Sequence, residues 1–315
     1  MKKFKVAFCG TPDFSVPTLD LLANHPHIDL CYVISMPDRP AGRGMEMKSP
    51  EVITYAKEKK INFFQTENIN KEAEFLKKLR SEDLDFVVVL AFAQFLGSEM
   101  LNMGKLGCFN IHTSILPKYR GAAPIQYALL HGDKETGVSI QKMVKKMDAG
   151  DLVHFHTVAI ASTENGGQLY TRLKYQAALA MNDFIVKILE DKVTYTSQDE
   201  SQVSFAPTLK KEDGLLDFAN QKVHEILNRI RALDPWPGTY CFLNGKRMKV
   251  LLAEPYHAKL SAGKAKNDLG SLVVGCLDGS MRLSEIQLEG KKACSDRELL
   301  NGLKSEIIIS TGKES

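Results

Sequence analysis

The sequence predicts a doubly wound, mostly parallel α/β domain followed by a smaller C-terminal β-barrel of OB-like form. Three observations carry this. Strand-like apolar runs alternate with helix-like stretches through the first 190 or so residues, and the most apolar run is too short and too β-branched for a helix. Beyond residue 207, short strand candidates recur at turn-rich spacing.

Taken in order, residues 5–9 read as a buried strand ending in Gly10, and residues 15–25 as an amphipathic helix after Thr11-Pro12-Asp13. Residues 30–35 read as a second strand and 71–80 as a charged helix. Phe86–Leu90 is predicted as a central strand covered on both faces, because its apolar run has no polar alternation. Residues 108–112 give another strand, Pro124–Leu130 a helix, 151–160 a strand and 168–189 a long helix. The polar stretch 194–212 contains Pro207 and suits a strand leading into a linker. Val223–Ala232 reads as a helix stopped by Asp234-Pro235-Trp236-Pro237-Gly238, with Trp236 expected to anchor the junction. Strands are then expected at Thr239–Leu243, 248–253, 269–274 and 281–288. The expected division is a domain over 1–191, a linker over 192–208 and a barrel over 209–315.

Composition excludes several classes. A chain of 315 residues with 44% hydrophobic and 25% charged residues has enough apolar surface for two cores, and is not a disordered polyelectrolyte. A net charge of +3 is not that of a histone-like polycation. From residue 207 onward there are 17 Lys+Arg against 14 Asp+Glu, so the excess lies in the second domain and points to an anionic partner. The longest apolar run, residues 86–93, is eight residues, far short of the roughly 20 that a membrane helix requires. Met1-Lys2-Lys3 leads straight into the first strand, without the apolar stretch of a signal peptide. The six cysteines are scattered, with no C-x-x-C pair. A cytoplasmic protein with free thiols and no membrane partner is expected.

Gly10-Thr11-Pro12-Asp13 occupies the first strand-to-helix turn, where a dinucleotide-binding protein carries G-x-G-x-x-G, so NAD is not expected. Asn110 and His112 stand two apart at the end of a predicted strand and leave the same face, where ligands of doubly wound sheets bind. An amide there can donate to a carbonyl oxygen while an imidazole handles a proton. The bland alternative is a histidine that merely satisfies a strand end. Met147-Asp148-Ala149-Gly150-Asp151 is turn chemistry that puts a carboxylate near the sheet's open end, able to fix the His112 tautomer and favour the charged ring. Spacing does not rank Asp148 above Asp151. His154-x-His156 alternates on a strand, but no sequence neighbour completes a ligand set, so no metal is expected. Cys9 and Cys108 read as small buried hydrophobes.

These stretches resemble the methionyl-tRNA formyltransferases from end to end. The resemblance is carried by Cys9-Gly10-Thr11-Pro12-Asp13-Phe14, by Pro37-Asp38-Arg39-Pro40-Ala41-Gly42-Arg43-Gly44, and by residues 110–121 running on through Ala122-Ala123-Pro124-Ile125-Gln126. Residues 147–151 and 234–238 complete it. Asn-x-His with a distal Asp marks the wider group of enzymes using 10-formyltetrahydrofolate; the Pro37–Gly44 loop and the second domain narrow the choice. The resemblance implies formyl transfer from that folate to the amino group of methionyl initiator tRNA. It implies that Asn110 donates to the oxyanion, that His112 adds a second donor and shuttles a proton, and that Asp148 orients His112. Ser114, Ile115, Leu116 and Pro117 would lie along the folate, with Phe92 and Gln94 walling the pterin pocket. Arg39, Arg43 and Lys48 in the loop, and Lys210 and Lys211 near the linker, would meet tRNA.

Three departures stand out. Phe92-Ala93 replaces the more usual Tyr-Gly, Met45-Glu46-Met47-Lys48 replaces a more Lys-rich stretch, and Thr208 stands where lysine is common. Nothing in the sequence calls for a second subunit, so a monomer is expected. The rival readings are a folate-dependent hydrolase or sugar formyltransferase, and an RNA-binding module that has lost catalysis.

Overall fold

The structure, a computed structural model, describes residues 3–41, 45–303 and 305–312. The chain divides into two compact units: Met1–Pro124, Glu135–Ala159 and Tyr170–Ala206 form the first, and Ile125–Lys134, Ile160–Leu169 and Pro207–Ser315 the second.

The chain opens with β1 (Phe4–Gly10), α1 (Val16–Asn24) and β2 (Ile28–Ser35). A short ribbon follows, β3 (Arg39–Ala41) and β4 (Glu46–Lys48), then α2 (Glu51–Lys59) and β5 (Phe63–Gln65). Next come α3 (Ala73–Ser81), β6 (Phe86–Leu90), α4 (Ser98–Leu101), β7 (Gly107–His112) and β8 (Arg120–Gly121). After α5 (Pro124–Leu130) run β9 (Glu135–Lys142), β10 (Leu152–Ala159), α6 (Gly166–Leu189) and β11 (Phe205–Ala206).

Seven strands form the main sheet in the order β10-β9-β7-β6-β1-β2-β5. The five from β7 to β5 are parallel, whereas β9 runs antiparallel to both β7 and β10. The chain builds outward from β1 to β5 and then restarts at β6 on the other side, so the switch in direction falls between β1 and β6. A ligand crevice is expected there, outside the carboxyl ends of the strands. Every residue of β6 is buried, as its unbroken apolar run predicts. Ala7, Cys9, Val87 and Val89 face a core completed by Phe75, Leu76 and Leu79 of α3 and by Met100 of α4. On the other face, Phe109 packs its ring 4.8 Å from Phe184 of α6.

Gly10 owes its identity to packing and not to a pyrophosphate: a Cβ there would lie 2.7 Å from the Phe8 ring and 3.0 Å from the Leu90 carbonyl. The turn after β1 also ties down the end of β6, with the Ser15 hydroxyl donating to Leu90 O at 2.7 Å and Thr11 Oγ1 to Phe92 O at 3.3 Å.

The second unit contains α7 (Val223–Ala232), β12 (Thr239–Leu243), β13 (Lys246–Tyr256), β14 (Ala265–Asp268), β15 (Ser271–Cys276), β16 (Gly279–Leu288), β17 (Cys294–Ser295), α8 (Asp296–Gly302) and β18 (Ile309–Ser310). Its strands form an antiparallel near-barrel in the order β14-β15-β16-β13-β12-β18, with β17 on β16. Strand β13 bends through two register shifts, near Val250 and Leu252, which gives the sheet its curl. Ile226 and Ile230 of α7 close a core with Met248, Val250, Leu272, Met281, Leu283 and Ile286. Trp236 does not anchor the junction by burial; it is 53% exposed, and the turn is closed by the Gly238 N–H donating to Leu233 O at 2.8 Å. All six cysteines are free. Among the described residues, no helix is long and apolar enough to cross a membrane.

Candidate active site

Strand β7 presents Asn110 and His112 on one face. In register, Asn110 pairs with Gln141 and His112 with Ser139 of β9, so four polar side chains share that face. Paired positions between them, Ile111 and Ile140, point to the apolar side.

Asp148 reaches this face from the β9–β10 turn, where its φ of +49° lies in the left-handed region that Asp tolerates better than most residues. Its Oδ2 accepts from the Gly121 N–H at 2.9 Å; its Oδ1 accepts from Gln141 Nε2 at 3.0 Å and Asn110 Nδ2 at 3.4 Å. His112 Nδ1 stands 3.7 Å from Oδ2. The amide, the imidazole and the carboxylate therefore converge. Asp151 instead accepts from the Ser197 hydroxyl at 2.9 Å, which ranks the two aspartates that spacing left open.

At 3.7 Å, Asp148 is not the partner that fixes the His112 tautomer. His112 Nε2 lies 2.8 Å from the Tyr119 carbonyl, and a carbonyl only accepts. Nε2 therefore carries hydrogen, and Nδ1, on the Asp148 side, is the nitrogen left to take up or release a proton.

The site is held by residues that sequence spacing did not single out. Gln198 Nε2 donates to the carbonyls of Asp148 at 2.9 Å and Gly150 at 2.7 Å, while Gln141 Oε1 accepts from the Gly150 N–H at 3.0 Å. Residues 119–121 are pinned by Ser204, whose Oγ accepts from Tyr119 N and whose carbonyl accepts from Arg120 N, both at 2.9 Å. Gly121 has φ +123°, and a Cβ there would lie 2.6 Å from the Ala206 carbonyl. Only glycine presents its N–H to Asp148 from this position. Arg120 is 1% exposed and donates to Gln198 at 2.8 Å and Glu200 at 2.9 Å. The Arg120 guanidinium, followed by Lys146 at 2.7 Å, pushes the Glu200 carboxyl down to about 2. One signal for these residues was legible: Val138 and Ile140 alternate with Ser139 and Gln141, so a half-apolar strand with two buried polar groups was readable.

The expected folate residues lie on two loops. Ser114 is fully buried and spends its hydroxyl on Lys118 O at 2.6 Å. The Ser139 hydroxyl donates to Ser114 O at 2.7 Å and accepts from Leu116 N at 3.1 Å, fixing the Ser114-Ile115-Leu116-Pro117 segment over β9. Phe92 is buried in the core and Gln94 is spent on neighbouring loops, donating to Thr66 O at 2.7 Å and accepting from Ile69 N at 2.8 Å.

Of the expected tRNA residues, Arg39 and Lys48 face each other across the β3–β4 ribbon, where Arg39 pairs with Glu67 at 3.5 Å and Lys48 with Glu51 at 2.6 Å. Arg43 lies outside the described residues. Lys210 and Lys211 are exposed in the second unit, Lys210 as the cap of a short 3-10 turn.

Comparison with known proteins places the whole chain in a family. The pattern of the formyl transferase family matches residues 2–185, and that of the formyl transferase C-terminal domain matches 208–304. The methionyl-tRNA formyltransferase of Geobacter metallireducens is 35% identical over 316 residues, covering 99% of this chain and 100% of its own length. That of Bacillus licheniformis is 38% identical over 303 residues, covering 95% of each. Among solved structures, the N-formyltransferase from Helicobacter canadensis, in complex with folinic acid and dTDP-3-aminofucose, superposes with a TM-score of 0.66 at 18% identity, over 90% of this chain and 98% of that one. HypX from Aquifex aeolicus, in complex with tetrahydrofolic acid, gives 0.60 at 14% identity, over 97% of this chain and 48% of that one. At such identities the two structures speak for the fold alone.

Proposed function

The chain belongs to the methionyl-tRNA formyltransferase family, and from that premise we propose that Asn110, His112 and Asp148 carry its reaction. It formylates methionyl-tRNA with a folate as donor. In our reading the donor is 10-formyltetrahydrofolate, the acceptor is the α-amino group of the initiator tRNA's methionine, and one chain acts alone in the cytoplasm.

The amine attacks the formyl carbon, the oxygen becomes an oxyanion, and the carbon–N10 bond breaks as the amine's proton passes to the departing nitrogen. The nucleophile needs little activation, because an ordinary α-amino group has a pKa of about 7.7–8.0 and is partly neutral at pH 7. The demanding part is the oxyanion. Asn110 Nδ2 donates to it, and His112 receives the amine proton on Nδ1 and returns it to N10. Asp148 stabilises the imidazolium while that proton is held. The observation that supports these roles is the convergence of Asn110 Nδ2 and His112 Nδ1 on the Asp148 carboxylate at the carboxyl end of β7.

The segment 114–117 would lie along the folate, with the loop around Phe92 and Gln94 closing the pterin side by shape. Arg39, Arg43, Lys48, Lys210 and Lys211 would meet tRNA phosphates, with catalysis in residues 1–191 and further tRNA contact from 209–315. Steady-state transfer to charged initiator tRNA tests the assignment. Asn110→Ala should lower kcat by about 10²–10³-fold, the usual loss for one oxyanion donor, and His112→Ala by about 10²–10⁴-fold, the usual loss for a general acid–base. Near wild-type turnover in either variant refutes the role given to that residue, and a product formed equally well on a dTDP-amino sugar would refute the acceptor.

A further inference from the structure

Strand β10 carries His154 and His156 two residues apart, so both imidazoles leave one face of an edge strand. It is not the face that holds His112. His112 pairs in register with Ser139 and Ser139 with Phe155, whereas His154 pairs with Ile140 and His156 with Val138. The two histidines therefore share the side of the sheet on which Phe109 meets Phe184 of α6. The residue before Phe184 is Asp183. Its Oδ2 lies 2.9 Å from His156 Nε2 and 4.0 Å from His154 Nε2, and one ligand atom from each of the three residues lies within 4.8 Å of the others.

We propose that His154, His156 and Asp183 form a site for one divalent transition-metal ion of the zinc class, which ties the edge strand β10 to helix α6. The sequence offered His154-x-His156 without a carboxylate; the fold supplies one from 27 residues further along.

The donor chemistry is consistent with this. Two imidazoles and a carboxylate, with no thiolate, suit zinc and its first-row neighbours. Zinc sits about 2.0–2.2 Å from such donors, so tetrahedral ligands stand roughly 3.3 Å apart. The separations of 2.9 and 4.0 Å from Asp183 bracket that value, and the ligand atoms of the two histidines lie within 4.8 Å of each other. Three protein donors leave one position for water.

A second observation is independent of the distances. His154 Nε2 is buried without a hydrogen-bond partner among the described residues, on a side chain 13% exposed. An unpaired buried nitrogen is a costly feature that a bound cation removes. Lys187, one helical turn beyond Asp183, is the charge that works against a cation here.

The test uses the full chain, stripped with a chelator, titrated calorimetrically with Zn²⁺ and spectroscopically with Co²⁺. One equivalent should bind, with a tetrahedral-type Co²⁺ ligand-field spectrum and no thiolate charge-transfer band. Asp183→Asn and His156→Gln should each weaken binding by at least about 10-fold. Asp183 is 51% exposed, so the isosteric Asp183→Asn keeps the fold; its melting temperature without metal should match the wild type, and only the wild type should be raised by Zn²⁺. A Cys31→Ser/Cys294→Ser variant, which removes the two partly exposed thiols, should bind as the wild type does. Absence of saturable binding, a thiolate spectrum, or unchanged affinity in both ligand variants overturns the proposal.

Discussion

Ala93 has φ +62° and Ala91 φ +51°, in the loop that follows β6. Left-handed backbone costs an alanine about 1–2 kcal/mol, because its Cβ crowds the following carbonyl. Glycine avoids that cost but has more freedom to lose on folding. Ala93 is exposed, so replacing it removes no packing. Ala93→Gly should therefore stabilise the chain by about 0.5–1 kcal/mol in urea unfolding; a loss of stability would show that the loop does not keep this conformation in solution. The departure from Tyr-Gly at Phe92-Ala93 thus acquires a physical meaning. Tyr119 at +61° and Asp148 at +49° are likewise left-handed, and both lie at the site. Their neighbours Gln141, Gln198 and Ser204 over-determine them, which is how strained backbone persists where chemistry needs an atom in one place.

Strand β9 and the segment 197–206 make the largest difference between a pair of motifs and a built site. From β9 come Ser139 and Gln141; from the segment come Gln198, Glu200, Ser204 and the Ala206 carbonyl. Glu200 gives this seam a pH signature. Its carboxyl is held below its ordinary 4.5, down to about 2, by Arg120 and then Lys146, so its stabilisation is present above pH 4.5 and is lost as pH falls through about 2. Glu200→Gln should lower the melting temperature at neutral pH, and the gap to the wild type should close on acidification to about pH 2. A constant gap at every pH would rule out the ionised pair as its source. Other elements differ in how strongly their local sequence marks them. Ser295 and Glu298 form a capping box that announces α8, whereas the β-branched run Val52-Ile53-Thr54 carries no helix signal of its own and lies in α2, whose buried face is Val52, Ile53 and Ala56.

Taken together, the two units have separate apolar cores, one built on a parallel sheet and one inside an antiparallel near-barrel. The +3 charge is small for a chain whose substrate is a polyanion, which favours recognition by a few placed cations over recognition by a general field. Each cation that meets a phosphate releases counterions, so the KM for tRNA should rise steeply with salt while that for the folate changes little. Arg43→Ala should weaken tRNA use, reduce that salt slope by about one, and leave the folate KM unchanged. Equal losses toward both substrates would exclude Arg43 as a phosphate contact. Glu46, in place of a more basic stretch, would work against any phosphate that met the β3–β4 ribbon.

Strand periodicity, the paired placement of Asn110 and His112, and the lack of a dinucleotide turn are properties of neighbours along the chain. Backbone geometry fixes them within a few residues, and they could be read directly. Asp148 was nameable from its turn, but its preference over Asp151 was not, because the choice depends on which carboxylate the Gly121 N–H and Gln141 meet. The tautomer of His112, the clamp from Gln198 and the meeting of Asp183 with His154 and His156 all join groups brought together by chain reversal and sheet register. Those contacts depend on where the backbone returns, which local spacing does not encode.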